Sequence, residues 1–105
     1  MALSISSAVR NKLHEKHRVS EEEIIQCFSS REKGFLEDTR EEHKTRPPTL
    51  WFVAETDYGR TLKIMFIYED KIDEDGVKSK VVSIKSAYEP SADVVRIYNK
   101  FADID

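Results

Sequence analysis

Apolar residues recur along the chain at two different spacings, and the change of spacing separates a helical part from a strand-forming part. Near the N-terminus, Val9 and Leu13 lie four residues apart, behind a serine at position 6 or 7 that can cap a helix. This pattern predicts a first helix that runs to about Lys16. Because its apolar stripe is narrow, we expect this helix to lie at the surface.

The second predicted helix has a better defined beginning. Ser20 and Glu23 have the spacing of a capping box, in which each side chain accepts a hydrogen bond from the other residue's backbone N–H. Ile24 and Phe28 follow at helical spacing, and the pattern ends near Ser30. Cys27 lies inside this helix, where we expect a packed side chain and not a nucleophile, because nothing nearby in sequence supplies a base.

From position 50 onward the composition is that of β-strands. Residues 50–56, 61–68 and 80–88 are rich in β-branched and aromatic side chains. Gly59 lies in a hairpin turn between the first two segments, and a polar stretch, residues 70–79, separates the last two. We therefore predict an antiparallel meander of three strands with a lengthened second loop.

A C-terminal helix is predicted after Pro90, which ends the last strand. Ser91 can cap this helix, and its apolar face consists of Val94, Val95, Tyr98 and Phe101. Since the strands cluster instead of alternating with helices, the fold class is α+β: two N-terminal helices, an antiparallel meander sheet and a C-terminal helix. A dinucleotide-binding fold is not expected, because the chain has no glycine-rich phosphate loop.

Composition adds bounds on size and compartment. A chain of 105 residues fits a single domain spanning 1–105, and its only cysteine excludes an internal disulfide. With no membrane-spanning run and no signal-peptide layout, we expect a cytoplasmic protein. The net charge of −3 argues against coating nucleic acid by bulk electrostatics, although it leaves room for a local basic cleft.

Several short motifs occur in an order that resembles the BrnT-type toxins of the RelE/ParE superfamily. The motifs are Lys16-His17-x-Val19-Ser20-x-Glu22-Glu23, Asp38-x-Arg40-Glu41, Gly59-Arg60-x-Leu62 and Ser86-Ala87. The resemblance covers nearly the whole chain. It implies a RelE-like fold, a ribonuclease that needs no metal or other cofactor, and a type II toxin bound by a cognate antitoxin. Contact with DNA is then expected only through that antitoxin.

The chain also departs from this family at two places. Where BrnT-like proteins usually begin with a Trp-Asp strand, this chain has Ile5-Ser6, and where they usually have an arginine after Ser-Ala, it has Tyr88. The ending Ala87-Tyr88-Glu89-Pro90 resembles a bacterial subgroup often labelled ADP-ribosyl-(dinitrogen reductase) hydrolases. The enzyme that this label names is a much larger, all-helical metal enzyme, which a chain of this size and strand content cannot house.

Metal-free RNA cleavage requires a base for the 2'-hydroxyl proton, a cation for the phosphorane charge and an acid for the leaving oxygen. His17, Arg60 and Tyr88 are the candidate catalytic residues. His17 titrates near neutrality, but the alternative is a helix-terminal imidazole favoured by the helix dipole. Four cations are candidates for substrate binding: Lys16, Lys63, Lys85 and Arg40. The alternative for Arg60 and Lys63 is that they are ordinary solvated charges at a strand end.

Three further points stay open at this level. Strand alternation puts Lys85 and Tyr88 on opposite faces unless a bulge or a strand end intervenes. Residues 38–43 form a charged loop that either orients a cation, faces an antitoxin or is simply solvated. Trp51 is either a core residue or a stacking platform for a base. His14 and His17 lack a third ligand, so no metal site is expected.

Three functions therefore compete. The first is a metal-independent endoribonuclease that leaves a 2',3'-cyclic phosphate. The second is a non-catalytic module of the same fold that binds a protein partner, favoured by the two departures from the family and by the pI near 5.6. The third and weakest is a hydrolase of ADP-ribose linkages, which rests on the subgroup label alone.

Overall fold

The structure, a computed structural model, describes residues 2–40 and 47–102. The predicted motif and loop positions 41–43 lie outside the described residues. Helices and strands follow one another as β1 Ala2–Ser4, α1 Ser7–Lys12 with a π-helical segment Leu13–His17, α2 Glu21–Ser30, β2 Leu36–Glu37, β3 Leu50–Glu55, β4 Thr61–Ile72, β5 Lys78–Tyr88 and α3 Ala92–Phe101. The predicted α+β class is confirmed.

The first helix begins where the sequence predicts but ends differently. Ser6 caps α1 by accepting a hydrogen bond from the Val9 N–H at 3.2 Å. The last turn widens into the π-helical segment, which buries Leu13 in the core and places His17 at its end. Arg18 then takes a left-handed conformation with φ of 54°, which is uncommon for a residue with a side chain. The chain thereby turns sharply immediately after His17.

The capping box of α2 is confirmed in both directions. Ser20 Oγ accepts a hydrogen bond from the Glu23 N–H at 3.1 Å, and Glu23 Oε1 accepts one from the Ser20 N–H at 3.0 Å. The helix buries Ile24 and Cys27 against the sheet. Burial raises the pKa of the Cys27 thiol to about 11, as expected for a packed cysteine.

The sheet has the order β1-β5-β4-β3-β2. Its centre, β3-β4-β5, is the predicted antiparallel meander. Two short strands were not predicted: β1 runs parallel to β5, and β2 runs antiparallel to β3. The sheet is therefore mixed. The sequence did not predict these two strands because segments of two or three residues are too short to show an alternating pattern.

The prediction of a long second loop was wrong. Pairing of β4 with β5 continues through Asp70 with Lys80 to Ile72 with Lys78, so a long hairpin replaces the loop. A tight turn closes it, in which the Asp73 carboxylate accepts hydrogen bonds from two backbone N–H groups at 2.9 Å each. The outer part of the hairpin is exposed, which is why its sequence lacks the apolar alternation of a half-buried strand.

The two faces of the sheet differ in character. Helices α1 and α2 accompany the core face, whose fully or nearly fully buried side chains are Phe52, Leu62, Ile64, Phe66, Val82 and Ile84. The strand register places Trp51, Lys63, Met65, Ser86 and Tyr88 on the opposite face. This second face carries the side chains that are relevant to chemistry.

An irregularity in the β4–β5 ladder determines which side chains at the end of β5 lie on each face of the sheet. Ser86 pairs with Met65 while Ile84 pairs with Phe66, so Lys85 has no partner across the ladder and forms a bulge. The bulge shifts the alternation of β5 by one residue. The strict alternation that separated Lys85 from Tyr88 therefore does not hold.

Candidate functional site

Four side chains form a continuous row that runs from β3 across β4 and β5 to the end of the π-helical segment. The Lys63 ammonium lies 4.6 Å from the centre of the Trp51 ring and 5.8 Å from the centre of the Tyr88 ring. The Tyr88 ring centre in turn lies 5.4 Å from that of His17. We call these four residues the aromatic–cation row. It brings two predicted catalytic residues together with one predicted substrate-binding lysine.

The register of the sheet builds this row. Lys63 lies directly opposite Tyr88 in the β4–β5 ladder and opposite Val53 in the β3–β4 ladder, and Trp51 lies two residues before Val53 on the same face. Cross-strand and diagonal neighbours on one face are close enough for long and aromatic side chains to touch. His17 completes the row from outside the sheet.

Lys63 is a buried cation that has no counter-ion among residues 2–40 and 47–102. The residue is only 8% exposed, and among the described residues no carboxylate lies within ion-pair distance of its ammonium. No buried polar side-chain atom of that part of the chain lacks a partner, so the ammonium itself still reaches solvent. Two ring faces hold it by cation–π contacts. Its N–H donors can therefore bind an anion.

The surroundings of His17 favour the neutral form of its side chain. Burial lowers the pKa of the His17 imidazole, and the positive charges of Lys12 and Lys16 lower it further. His17 is therefore mainly neutral at neutral pH, which is the form that accepts a proton.

Tyr88 is the central ring of the row. It lies half-buried at the end of β5, and its hydroxyl is 4.0 Å from the Met65 sulfur, a weak acceptor. The hydroxyl therefore remains available as a proton donor. Tyr88 thus offers a hydroxyl donor in the row and no cationic group.

Arg60 does not lie among the free cations. Its guanidinium bridges Glu23 at 3.0 Å and Glu89 at 2.8 Å, and it donates to the backbone carbonyls of His17 at 3.0 Å and Arg18 at 2.7 Å. The alternative of a solvated strand-end charge is not what the structure shows either. Instead, Arg60 connects the end of the π-helical segment, the start of α2 and the end of β5.

The electrostatics of this cluster are mutually stabilising. Burial alone raises the pKa of Glu23, but hydrogen bonds from Ser20 and from Arg60 outweigh it, so the net shift is downward. For Arg60, burial lowers the pKa, but the two carboxylates of Glu89 and Glu23 outweigh that effect and raise it. The charges of Glu23 and Arg60 are therefore held in their ionised forms.

The remaining predicted cations lie apart from the row. Lys16 and Lys85 are exposed, one beside His17 and the other on the β5 bulge. Arg40 makes a bidentate pair with Asp38 at 2.9 and 3.1 Å. Asp38 is buried, and its N–H donates to the Thr49 carbonyl, so this part of the loop is not simply solvated.

The sequence leaves the role of Trp51 open between core packing and base stacking, and the structure shows its ring in two side-chain contacts. One part of the ring packs against Tyr98 of α3, with ring centres 5.8 Å apart. Another part covers the Lys63 ammonium. The alternation of Trp51 with the core residue Phe52 was the available indication that the two rings lie on different faces.

A separate cleft lies elsewhere on the molecule. It has a volume of about 530 Å³ and is lined by residues of α2, α3 and β3, including Lys33, Val53 and Tyr98. Its polar groups are largely bound within the protein: Ser30 Oγ donates to the Glu55 carbonyl and the Lys33 ammonium to the Asn99 carbonyl. None of the predicted catalytic or substrate-binding residues lines this cleft, so we assign the functional site to the aromatic–cation row.

Residues 2–40 and 47–102 contain no group of three or more His, Cys, Asp or Glu side chains placed to hold a metal ion. Within the same ranges, no helix combines the length and the apolar character needed to cross a bilayer. The chain matches no protein-family profile, no curated protein and no solved structure.

Proposed function

We propose that this chain is a metal-independent endoribonuclease, the toxin of a type II toxin–antitoxin pair, and that its fold is RelE-like. The aromatic–cation row carries the proposal. It combines a neutral imidazole, a phenol, an indole face and an ammonium that has no ion-pair partner in the described part of the chain, each within contact distance of its neighbour in the row. Strand β1 also supports the fold assignment, because it lies where BrnT-like proteins begin with a strand.

The row supplies the chemical groups that cleavage at a 2'-hydroxyl needs. Neutral His17 takes the proton of the 2'-hydroxyl, whose oxygen attacks the adjacent phosphorus. The Lys63 ammonium offsets the charge that develops on the phosphorane oxygens. The bond from phosphorus to the 5'-oxygen then breaks, and the Tyr88 hydroxyl gives that oxygen a proton. The products are a 2',3'-cyclic phosphate and a 5'-hydroxyl, and no water or metal enters this step.

Substrate binding follows from the same side chains. Unpaired RNA bases stack on aromatic faces, and each stacked base contributes about 1–3 kcal/mol in single-strand binding proteins. Trp51 and Tyr88 provide such faces on either side of the Lys63 ammonium, which binds a phosphate between them. Lys16 precedes His17 in sequence and Lys85 lies on the β5 bulge, so both exposed lysines add positive charge to the same segments of the chain. The overall negative charge of the chain is compatible with this local arrangement.

The antitoxin is proposed as a protein that covers the face bearing the row. Operator DNA would then be contacted only through the antitoxin, and we place both proteins in the cytoplasm, where their RNA targets are. The placement of Arg60 supports the competing function, a non-catalytic module that binds a protein partner. Arg60 was expected to act on the phosphate as a cation. Its guanidinium is instead bound by the carboxylates of Glu23 and Glu89 and by two backbone carbonyls.

Incubation of the purified protein with single-stranded RNA in excess EDTA tests the enzyme. We expect cleavage, with 2',3'-cyclic phosphate ends seen by mass spectrometry, and growth arrest on expression. The Lys63→Met variant should lose both effects, whereas Lys71→Met, an exposed lysine further along the same strand, should keep them. Intact RNA and normal growth with the wild-type protein would exclude the enzyme and leave the binding module.

A further inference from the structure

The Arg60 guanidinium is linked to both members of the His17–Tyr88 ring pair. It binds the backbone carbonyl of His17 and the side chain of Glu89, the residue after Tyr88. We infer that Arg60 is a positioning residue: it holds His17 against Tyr88 through backbone and carboxylate anchors instead of acting on the RNA itself. The inference rests on the proposed function for its catalytic consequence. Whether Arg60 holds the His17 and Tyr88 rings together is a separate question, which can be answered without substrate.

The first anchor is the end of the π-helical segment. The last carbonyls of a helix have no partner within the helix and require one from outside. Arg60 supplies it by donating to the carbonyls of His17 at 3.0 Å and Arg18 at 2.7 Å. Because the chain turns through the left-handed Arg18 at this point, these two bonds fix where the backbone of His17 lies.

The second anchor lies on the strand that carries the other ring. Arg60 Nε donates to Glu89 at 2.8 Å, and Glu89 directly follows Tyr88. The third anchor is Glu23, whose carboxylate also takes part in the capping box of α2. A planar guanidinium can satisfy these acceptors together, whereas the compact ammonium of lysine cannot.

The donor count favours positioning over direct catalysis. A guanidinium has five N–H groups, one on Nε and two on each Nη. Nε binds Glu89, Nη1 binds Glu23 and the Arg18 carbonyl, and Nη2 binds the His17 carbonyl. A bidentate phosphate contact would require Arg60 to break at least one of these bonds.

NMR on Arg60→Lys tests the inference directly. In the wild type we expect nuclear Overhauser contacts between the His17 and Tyr88 ring protons and a His17 pKa below its ordinary value. In Arg60→Lys the ring contacts should disappear and the pKa should rise toward the ordinary value as the imidazole becomes solvated. The matched control is Arg10→Lys, which alters an exposed arginine–glutamate pair that also ties the first helix to α2. It should change neither observable.

Activity supplies the second readout. Displacement of a reacting group by about 1 Å costs up to about 100-fold in rate. We therefore expect Arg60→Lys to lose about 10- to 100-fold in kcat with little change in KM. Glu89→Gln weakens only the anchor at the 65% exposed Glu89 and keeps the fold, so it should shift the same observables less. It serves as the informative variant if Arg60→Lys does not fold.

Each result has a defined meaning. Unchanged ring contacts and an unchanged His17 pKa in both variants would overturn the positioning role. Lost cleavage in Arg60→Lys with intact ring contacts would also overturn it, because Arg60 would then act on the RNA directly. If the wild-type protein cleaves no RNA, the proposed function fails, while the NMR measurements still decide the role of Arg60.

Discussion

Replacement of Lys63 by methionine is the sharpest perturbation of the site, because it removes the ammonium but keeps a flexible side chain of similar length. The loss of two cation–π contacts costs roughly 0.5–1 kcal/mol each. The substitution also removes the desolvation cost of the Lys63 ammonium, which is 8% exposed and has no ion-pair partner among the described residues. This gain offsets much of the lost cation–π energy. We therefore expect the free energy of unfolding of Lys63→Met to stay within about 1 kcal/mol of the wild type.

The effect on cleavage should be far larger than the effect on stability. Removal of one preorganised group that stabilises the transition-state charge costs about 2.7–4 kcal/mol, or roughly 10²–10³ in kcat. The ammonium of Lys63 belongs to this class because two aromatic faces fix its position and, among the described residues, no carboxylate neutralises it. Binding should weaken less, since the stacking faces of Trp51 and Tyr88 remain.

Single-turnover cleavage of a short labelled RNA in EDTA, together with urea unfolding, measures the two quantities on the same samples. Lys71→Met is the matched control, because it makes the same substitution at an exposed position of β4. Cleavage by Lys63→Met within about threefold of the wild type, with the fold intact, would refute the assignment of the phosphorane cation to Lys63. An equal loss in the control would point to general charge and not to the site.

Three other predictions test the same structure. Cleavage should rise as His17 loses its proton, with the midpoint below about pH 6.5 because burial, Lys12 and Lys16 lower the His17 pKa; a pH–rate profile of His17→Ala should lack this limb. Because the pKa of Glu23 is lowered on folding, its contribution to stability is present above its ordinary pKa of 4.5 and is lost as pH falls through the folded-state pKa. Glu23→Gln should therefore flatten that acid dependence in urea titrations. With its pKa raised to about 11, native Cys27 should not react with a thiol reagent at pH 8 and should react once the chain is unfolded in urea.

Local patterns accounted for most of the fold. The Ser20–Glu23 capping box, the turn at Gly59 and the Ser91 cap each depend on residues within four positions of one another, and all three are present. The outer hairpin was missed because both of its faces are exposed, so polar residues at positions 70–80 do not distinguish a strand from a loop. Strand β1 was missed because its partner, β5, lies at the other end of the chain.

The candidate site was predictable in its members but not in their connections. His17, Lys63 and Tyr88 were identified from residue type and position, and the register of the meander brings them together. The ion-pair partners of Arg60 were not predictable, because Glu23 and Glu89 lie far from it in sequence and contact it only in the folded chain. No sequence pattern predicts the bulge at Lys85 either, although this bulge determines which face of the sheet the last side chains of β5 lie on.

Lys63 bears on the choice between an enzyme and a binding module. It interrupts the apolar strand segment from Leu62 to Met65, and among the described residues it has no ion-pair partner to compensate its desolvation. A charge in such a position costs stability, and residues that violate the local pattern without compensation concentrate at functional sites. Arg60, in contrast, stabilises the fold through four partners and needs no function to explain its presence. The activity should therefore depend on Lys63 directly, and on Arg60 only through the placement of His17.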